Sequence, residues 1–135
     1  MYFRSRNTKM AYNLFLIFVG GGLGSVLRFL IGKYTLQLYS GSFPMGTFIS
    51  NAISCFLIGG VVYMYISRDL SLNKSLSFLL VTGLCGGLST FSTFSFETFE
   101  LLKQGYYLTA LLNILISIFV GLTAIFIMYK TAIES

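Results

Sequence analysis

The chemistry that this sequence offers most clearly lies between Gly83 and Glu97, in the stretch GLCGGLSTFSTFSFE. Its Ser and Thr hydroxyls can donate hydrogen bonds to an anion. Its phenylalanine rings have electropositive edges, which attract an anion more weakly than a full positive charge does. Backbone carbonyls, where a helix breaks, are hard oxygen ligands for a small cation such as Na⁺. Together these groups are typical of ion binding.

The same stretch predicts an interrupted helix. Gly83, Gly86 and Gly87 lower helix propensity, and the Ser and Thr side chains compete for backbone hydrogen bonds. We therefore expect a break near 86–89, where free backbone groups are tolerable in a membrane only inside protein or along a cavity. The alternative is a continuous helix in which the glycines and serines serve packing.

Helical spacing places Ser89, Thr93, Glu97 and Glu100 on one polar stripe at i, i+4, i+8 and i+11, with Ser92 beside it. On an adjoining face, the rings at 91 and 94 are i, i+3 neighbours. They either line a path for a small anion or contact lipid and core, which is the commoner fate of phenylalanine.

Other polar residues interrupt the remaining apolar runs. Arg28 either snorkels to the headgroups or gives a water-filled vestibule a positive potential. Asn51 either makes an interhelical hydrogen bond or turns an N–H donor toward an anion. Asn113 and Ser117 form, with Gly121, a second stripe that could cover the first.

These residues sit in a very apolar chain. Of its 135 residues, 56% are hydrophobic and 10% are charged, against about 25% charged in soluble domains. The net charge of +5 lies beside apolar runs, so the basic residues are interpreted as membrane anchors rather than as a nucleic-acid surface. The sequence has no histidine, no nucleophile–base pair and no metal-ligand cluster, so an enzyme is not expected.

Four apolar runs predict four membrane-spanning helices in a single domain over 1–135. They cover about 11–33, 45–66, 76–102 and 106–129, and each can cross a hydrocarbon core of ~30 Å. The first run is too long for a signal peptide. An even number of spans puts both termini on one side, and the basic residues there favour the cytoplasm. Arg28 and Lys33 weaken that bias, so both insertion directions stay open.

Almost the whole chain resembles the Fluc (CrcB) fluoride channels. The resemblance rests on GGGLGSVLRF, PMGTFISNAISCFLIG, TGLCGGLSTFSTFSFE and ALLN in the four successive runs. It implies an all-α membrane protein with four transmembrane helices, a broken third helix and an antiparallel, dual-topology dimer. The partner would be a second copy or a paralogous subunit, with two fluoride pores along the interface.

The resemblance also implies roles for particular residues. A structural Na⁺ would be held by the backbone carbonyls of Gly86 and Ser89, although the family usually has threonine at the latter position. The residues implied for the fluoride pore and its vestibule are Arg28, Asn51, Phe91, Ser92, Thr93, Phe94, Glu97, Asn113 and Ser117, the last two from the stripe argument.

The expected function is passive export of fluoride across the cell membrane, which lowers cytoplasmic fluoride. One alternative is a small multidrug-type exporter, which needs a membrane-embedded acid, whereas the first helix carries Arg28 and no acid. The other is a non-transporting membrane subunit, which would tolerate other apolar residues at Phe91 and Phe94.

Overall fold

The computed structural model describes residues 2–67 and 74–135, and these residues fold into helices without any strand. The elements are α1 (Tyr2–Leu38), α2 (Met45–Ser67), α3 (Lys74–Ser77), a π-helix (Phe78–Cys85), α4 (Gly86–Leu88), α5 (Phe91–Lys103) and α6 (Tyr107–Glu134). The elements from α3 to α4 are continuous and form the first half of a third span, and α5 forms its second half. The predicted all-helical class with a broken third helix is confirmed.

Four stretches are long and apolar enough to cross a membrane. They are Lys9–Leu38, Met45–Ser67, Lys74–Lys103 and Tyr107–Glu134, of 30, 23, 30 and 28 residues. Only 11–17% of the most apolar window of each span is buried within the chain. The remaining apolar surface therefore requires lipid or a partner subunit to cover it.

The first and last helices extend beyond the apolar runs that predicted them. α1 begins at Tyr2 and continues to Leu38, and α6 continues to Glu134. Hydropathy marks the part of a helix that can lie in lipid, whereas backbone hydrogen bonding continues until a stop signal. That signal after α1 is the sequence from Ser40 to Pro44. The predicted polar link between the second and third runs lies outside the described residues over 68–73.

The turn between α5 and α6 is closed by Gly105. This residue has φ +83°, a left-handed conformation that glycine adopts without steric cost. The N–H of Tyr106 donates to the Leu101 carbonyl at 2.9 Å, and the N–H of Gly105 donates to the Leu102 carbonyl at 3.1 Å. This is a Schellman cap, and it returns α6 alongside α5.

Glycines allow α1 to pack backbone to backbone against the third span. A Cβ atom on Gly24 would overlap the Leu84 carbonyl oxygen and lie 2.7 Å from the Leu88 nitrogen. A Cβ on Gly87 would overlap the Gly21 carbonyl oxygen and lie 3.0 Å from its Cα. Small residues of this kind are how helices approach closely in membranes, and here they place α1 directly beside the helix break.

α2 packs extensively against α6, and this pair also meets through small residues. A Cβ on Gly59 would lie 3.2 Å from the Ala124 carbonyl oxygen, and one on Gly121 would lie 3.2 Å from the Cys55 sulfur. The Cys55 side chain therefore packs in this interface, and Cys85 is buried in the third span. α2 of this pair carries Asn51, which binds Thr90 at the break.

Gly24→Ala is expected to lower the free energy of unfolding by about 1–3 kcal/mol, because the added methyl group overlaps backbone atoms that cannot turn aside. Gly22→Ala is the matched control, since no atom lies within 4 Å of a Cβ there. Thermal unfolding in detergent can be followed with a thiol-reactive dye, which reports exposure of Cys85, only 2% exposed in the fold. Equal midpoints for the two variants would contradict the close packing.

Candidate functional site

The third span breaks at Ser89 and Thr90, where the backbone is extended. Their φ,ψ angles are −80°,154° and −152°,112°. Gly86, in contrast, is helical at −64°,−35°. The break therefore begins later than the predicted 86–89. Both glycines stay helical, and Gly87 lies on the close interface with α1. The hydroxyl residues after them leave the helix.

Thr90 starts the second half of the span as its N-cap. The Thr93 N–H donates to Thr90 Oγ1 at 3.2 Å, and the Thr90 hydroxyl lies 3.0 Å from Thr93 Oγ1. A side-chain oxygen at this position satisfies one of the first free N–H groups of a helix. The restart of α5 at Phe91 thus follows from a local sequence signal.

Asn51 of α2 holds the other side of the break. Its Oδ1 accepts the Thr90 backbone N–H at 2.8 Å. Because a backbone N–H can only donate, the amide oxygen must face the break, and the amide Nδ2 with its two N–H groups points elsewhere. The interhelical hydrogen bond considered for Asn51 is present, and it fixes the amide with its donors turned away from the break.

The four backbone carbonyls from Gly86 to Ser89 lose their helical donors at the break, because α5 begins only at Phe91. In a continuous helix the Thr90 N–H would bond to Gly86 and the Thr93 N–H to Ser89. Asn51 and the Thr90 hydroxyl take these two N–H groups instead. The carbonyls of Gly86 and Ser89 are therefore released, and they are the two that the family resemblance implies as Na⁺ ligands.

Two neighbouring carbonyls, those of Cys85 and Gly87, have partners. The Cys85 carbonyl accepts from the Ser89 N–H at 2.9 Å and from the Ser54 hydroxyl at 3.0 Å. The Gly87 carbonyl accepts from Arg28 Nε at 3.2 Å. Within the described residues, no group of three or more His, Cys, Asp and Glu could hold a metal. A cation at this place would therefore be bound by backbone oxygens.

A cavity of about 620 Å³ lies between α1, α2 and α5. The polar and charged residues in its wall that bear on ion chemistry are Arg28, Lys33, Thr47, Thr90, Thr93 and Glu97. Two cations and one carboxylate give it a positive balance, which attracts anions. Arg28 faces this cavity while it binds Gly87, so it is not simply snorkelling to the headgroups.

Glu97 is a half-buried acid in the wall of this cavity. Its Oε1 accepts from the Thr47 hydroxyl at 2.9 Å. Its Oε2 is buried and has no hydrogen-bond partner in residues 2–67 and 74–135. The predicted stripe is brought together in part, because Thr93 and Glu97 share the cavity. Glu100 lies outside it and pairs with Lys103 at 3.4 Å.

The two phenylalanines at the start of α5 are in contact. The ring centroids of Phe91 and Phe94 are 6.2 Å apart, with 35° between the planes. Phe91 is 81% exposed within the single chain, Ser92 is exposed, and Phe94 is half-buried. Phe91 and Ser92 are therefore free to meet a partner surface, whereas Phe94 lies against its own chain.

Asn113 and Ser117 lie apart from the cavity. Asn113 is 1% exposed, and its Nδ2 donates to Thr98 Oγ1 at 2.9 Å. The Ser117 hydroxyl lies 3.5 Å from Asn113 Oδ1. In this chain the second stripe joins α6 to α5. Sequence reasoning missed Thr47 and Thr98, although each lies one helical turn from a residue it singled out, Asn51 and Phe94.

Four apolar spans, with a polar break and a cavity beside it, define a multi-pass helical protein of the cell membrane. A sequence model of the family described as "CrcB-like protein, Camphor Resistance (CrcB)" matches residues 15–129. The chain belongs to this CrcB family.

Curated relatives cover most of the chain. A "Fluoride-specific ion channel FluC" from Pyrococcus furiosus is 43% identical over 117 residues, which are 87% of this chain and 93% of the relative. Proteins of the same name from Azobacteroides pseudotrichonymphae and Flavobacterium psychrophilum are 38% and 43% identical, over 89% and 82% of this chain and 95% and 89% of the relatives.

Thr90→Val is expected to lower the free energy of unfolding by about 1 kcal/mol, because it removes the N-cap oxygen of α5. Thr90→Ser keeps that oxygen and serves as the control. Both variants retain the backbone N–H that binds Asn51, so the comparison isolates the cap. Thermal unfolding followed through the buried thiol of Cys85 measures the difference, and equal destabilisation by serine and valine would contradict the capping role.

Proposed function

We propose that this chain forms a fluoride-selective channel that lets fluoride leave the cell passively. The names of its relatives support the choice of ion. The observation that carries the proposal is the orientation of Asn51, whose oxygen is held by Thr90 N–H and whose amide donors are therefore free to meet an anion. Fluoride is small and strongly hydrated, so a pore must replace its water with such donors.

The other groups supply weak contacts in series. The Ser92 and Thr93 hydroxyls donate, and the edges of Phe91 and Phe94 attract an anion without holding it. Arg28 makes the vestibule positive. Weak sites in succession allow an ion both to enter and to leave. Glu97 borders the vestibule. Asn113 and Ser117 lie apart from the cavity and join α6 to α5 through the bond of Asn113 to Thr98.

We further propose that the working unit is an antiparallel dimer, formed with a second copy or a paralogous subunit. Phe91 is 81% exposed and Gly86 is exposed, so the break faces outward from the single chain. An exposed ring at mid-span is covered either by lipid or by protein, but exposed carbonyls at that depth require protein or a polar cavity. A partner placed against this face supplies that cover.

A sodium ion would bind to the carbonyls of Gly86 and Ser89, which have lost their helical donors. Two carbonyls from one chain are few for a cation, and a partner facing the same break would add two more. The ion's charge would fix the two broken spans together. Its role is structural, since these carbonyls lie on the backbone of the break rather than in the wall of the cavity.

Asn51→Asp is expected to slow fluoride efflux from proteoliposomes by on the order of 100-fold or more. A like charge ~4 Å from the ion costs about 4 kcal/mol at an effective dielectric constant of ~20. The carboxylate keeps an acceptor for Thr90, so the break can persist. Fluoride and chloride efflux are recorded with ion-selective electrodes, and only fluoride efflux is expected from the unaltered protein.

Thr131→Asp is the matched control, because it adds the same charge at an exposed position near the end of α6. It should leave fluoride efflux within about twofold, as exposed charges at a distance are screened. Absence of fluoride efflux from the unaltered, folded dimer would overturn the channel proposal. Normal efflux through Asn51→Asp would remove Asn51 from the pore. An exporter of the multidrug type would move organic cations instead.

Protein prepared throughout in N-methylglucamine salts is expected to gain thermal stability when Na⁺ is added, since a ligand that binds only the folded state stabilises it. Such binding contributes about 2.7 kcal/mol at 100 times the dissociation constant. Elemental analysis of the untreated dimer tests for sodium that does not exchange. Equal stability with and without Na⁺, together with no retained sodium, would contradict the proposed site.

A further inference from the structure

α5 carries the phenylalanines and is held by few neighbours. Among the described elements it packs against α6 and, over a smaller area, α2. Side-chain hydrogen bonds therefore make a large part of its attachment. The three that join α5 and its cap to other helices are Asn51 with Thr90, Thr47 with Glu97, and Asn113 with Thr98.

The bond between Asn113 and Thr98 is the most deeply buried of the three. Asn113 is 1% exposed and Thr98 is 7% exposed. The Thr98 hydroxyl accepts from Asn113 Nδ2 at 2.9 Å and donates to the Phe94 carbonyl at 2.8 Å. One hydroxyl thus uses both its donor and an acceptor lone pair, and it connects α6 to the backbone of Phe94.

The orientation of the Asn113 amide is supported from its other side. The Ser117 hydroxyl lies 3.5 Å from Asn113 Oδ1 and is placed to donate to it. With Oδ1 facing Ser117, Nδ2 faces Thr98. Each group in this series therefore donates to the next one. Ser117 donates to Asn113, Asn113 donates to Thr98, and Thr98 donates to the Phe94 carbonyl.

This chain of bonds fixes the rotation of α5 about its own axis. A ring edge lies roughly 6 Å from the axis of a helix, so a rotation of about 10° moves it by about 1 Å. Phe94 is half-buried and its ring centroid is 6.2 Å from that of Phe91. A small rotation therefore changes both the place of the Phe94 edge and its relation to the neighbouring ring.

We propose that Thr98 and Asn113 are positioning residues that set the place of the Phe94 ring edge through the Phe94 carbonyl. Neither residue needs to touch the permeating ion. The consequence for ion flow rests on the proposed channel function, whereas the consequence for the ring does not. Removing the Thr98 hydroxyl loosens α5 against α6 and displaces the ring.

The test compares Thr98→Val, which keeps the shape and removes the hydroxyl, with Thr98→Ser, which keeps the hydroxyl. 4-Fluorophenylalanine is placed at position 94, and ¹⁹F NMR is recorded in detergent. Thr98→Val is expected to shift or broaden the resonance, and Thr98→Ser to leave it in place. The same label at Phe119, 70% exposed on α6, is expected to stay unchanged in both variants.

Fluoride efflux provides the second readout. Thr98→Val is expected to reduce it by about tenfold or more, because a displacement of ~1 Å at an ion contact is costly. In a Phe94→Leu background the same change should have little further effect, since residues that act through one another are not additive. Asn113→Leu is the substitute variant if Thr98→Val does not fold. It breaks the link to α6 but leaves the Thr98–Phe94 bond, and it should produce the same change in the ¹⁹F resonance at position 94.

An unchanged resonance at position 94 in folded Thr98→Val or Asn113→Leu would overturn the proposal. An equal loss of efflux with and without the Phe94 ring would also overturn it, because the threonine would then act by another route. If the unaltered protein moves no fluoride, the channel function fails, while the NMR comparison still decides whether Thr98 positions the ring.

Discussion

The hydrogen bond from the Thr90 N–H to Asn51 is the interaction on which the arrangement of the third span depends. An unpaired N–H inside a bilayer costs several kcal/mol, so a helix can break there only if another group accepts from it. Asn51 provides that acceptor at 2.8 Å. The same bond releases the Gly86 carbonyl and turns the amide donors of Asn51 away. One contact therefore explains the break, one of the two candidate cation ligands and the candidate anion donor.

The glycines of α1 determine where Arg28 lies relative to the break. They bring α1 into backbone contact with the third span, and this places Arg28 where its Nε reaches the Gly87 carbonyl at 3.2 Å. The guanidinium thus binds a carbonyl next to the break and also faces the cavity. Its position is set by protein contacts rather than by the headgroup region. A positive group fixed in this way contributes a steady potential to the vestibule.

The two halves of the third span are held by different forces. The half before the break packs tightly against α1, where small residues allow many short contacts. The half after it, α5, depends on polar contacts with α2 and α6, and one of these leaves Glu97 Oε2 buried and unpartnered among the described residues. Rigid packing would suit the proposed cation site, and polar attachment would suit the proposed path for an anion.

The sequence by itself determined the four spans, because hydropathy and length depend only on local composition. It also favoured an interruption of the third span and made Phe91 and Phe94 neighbours, since glycine, hydroxyl residues and i, i+3 spacing act within one helix. The tertiary structure decided the rest. It moved the break from the glycines to Ser89 and Thr90, assigned Thr47 to Glu97, and buried Asn113 against Thr98. The deciding bonds join residues 15 to 59 positions apart, and periodicity within a helix carries no information about which helix will face it.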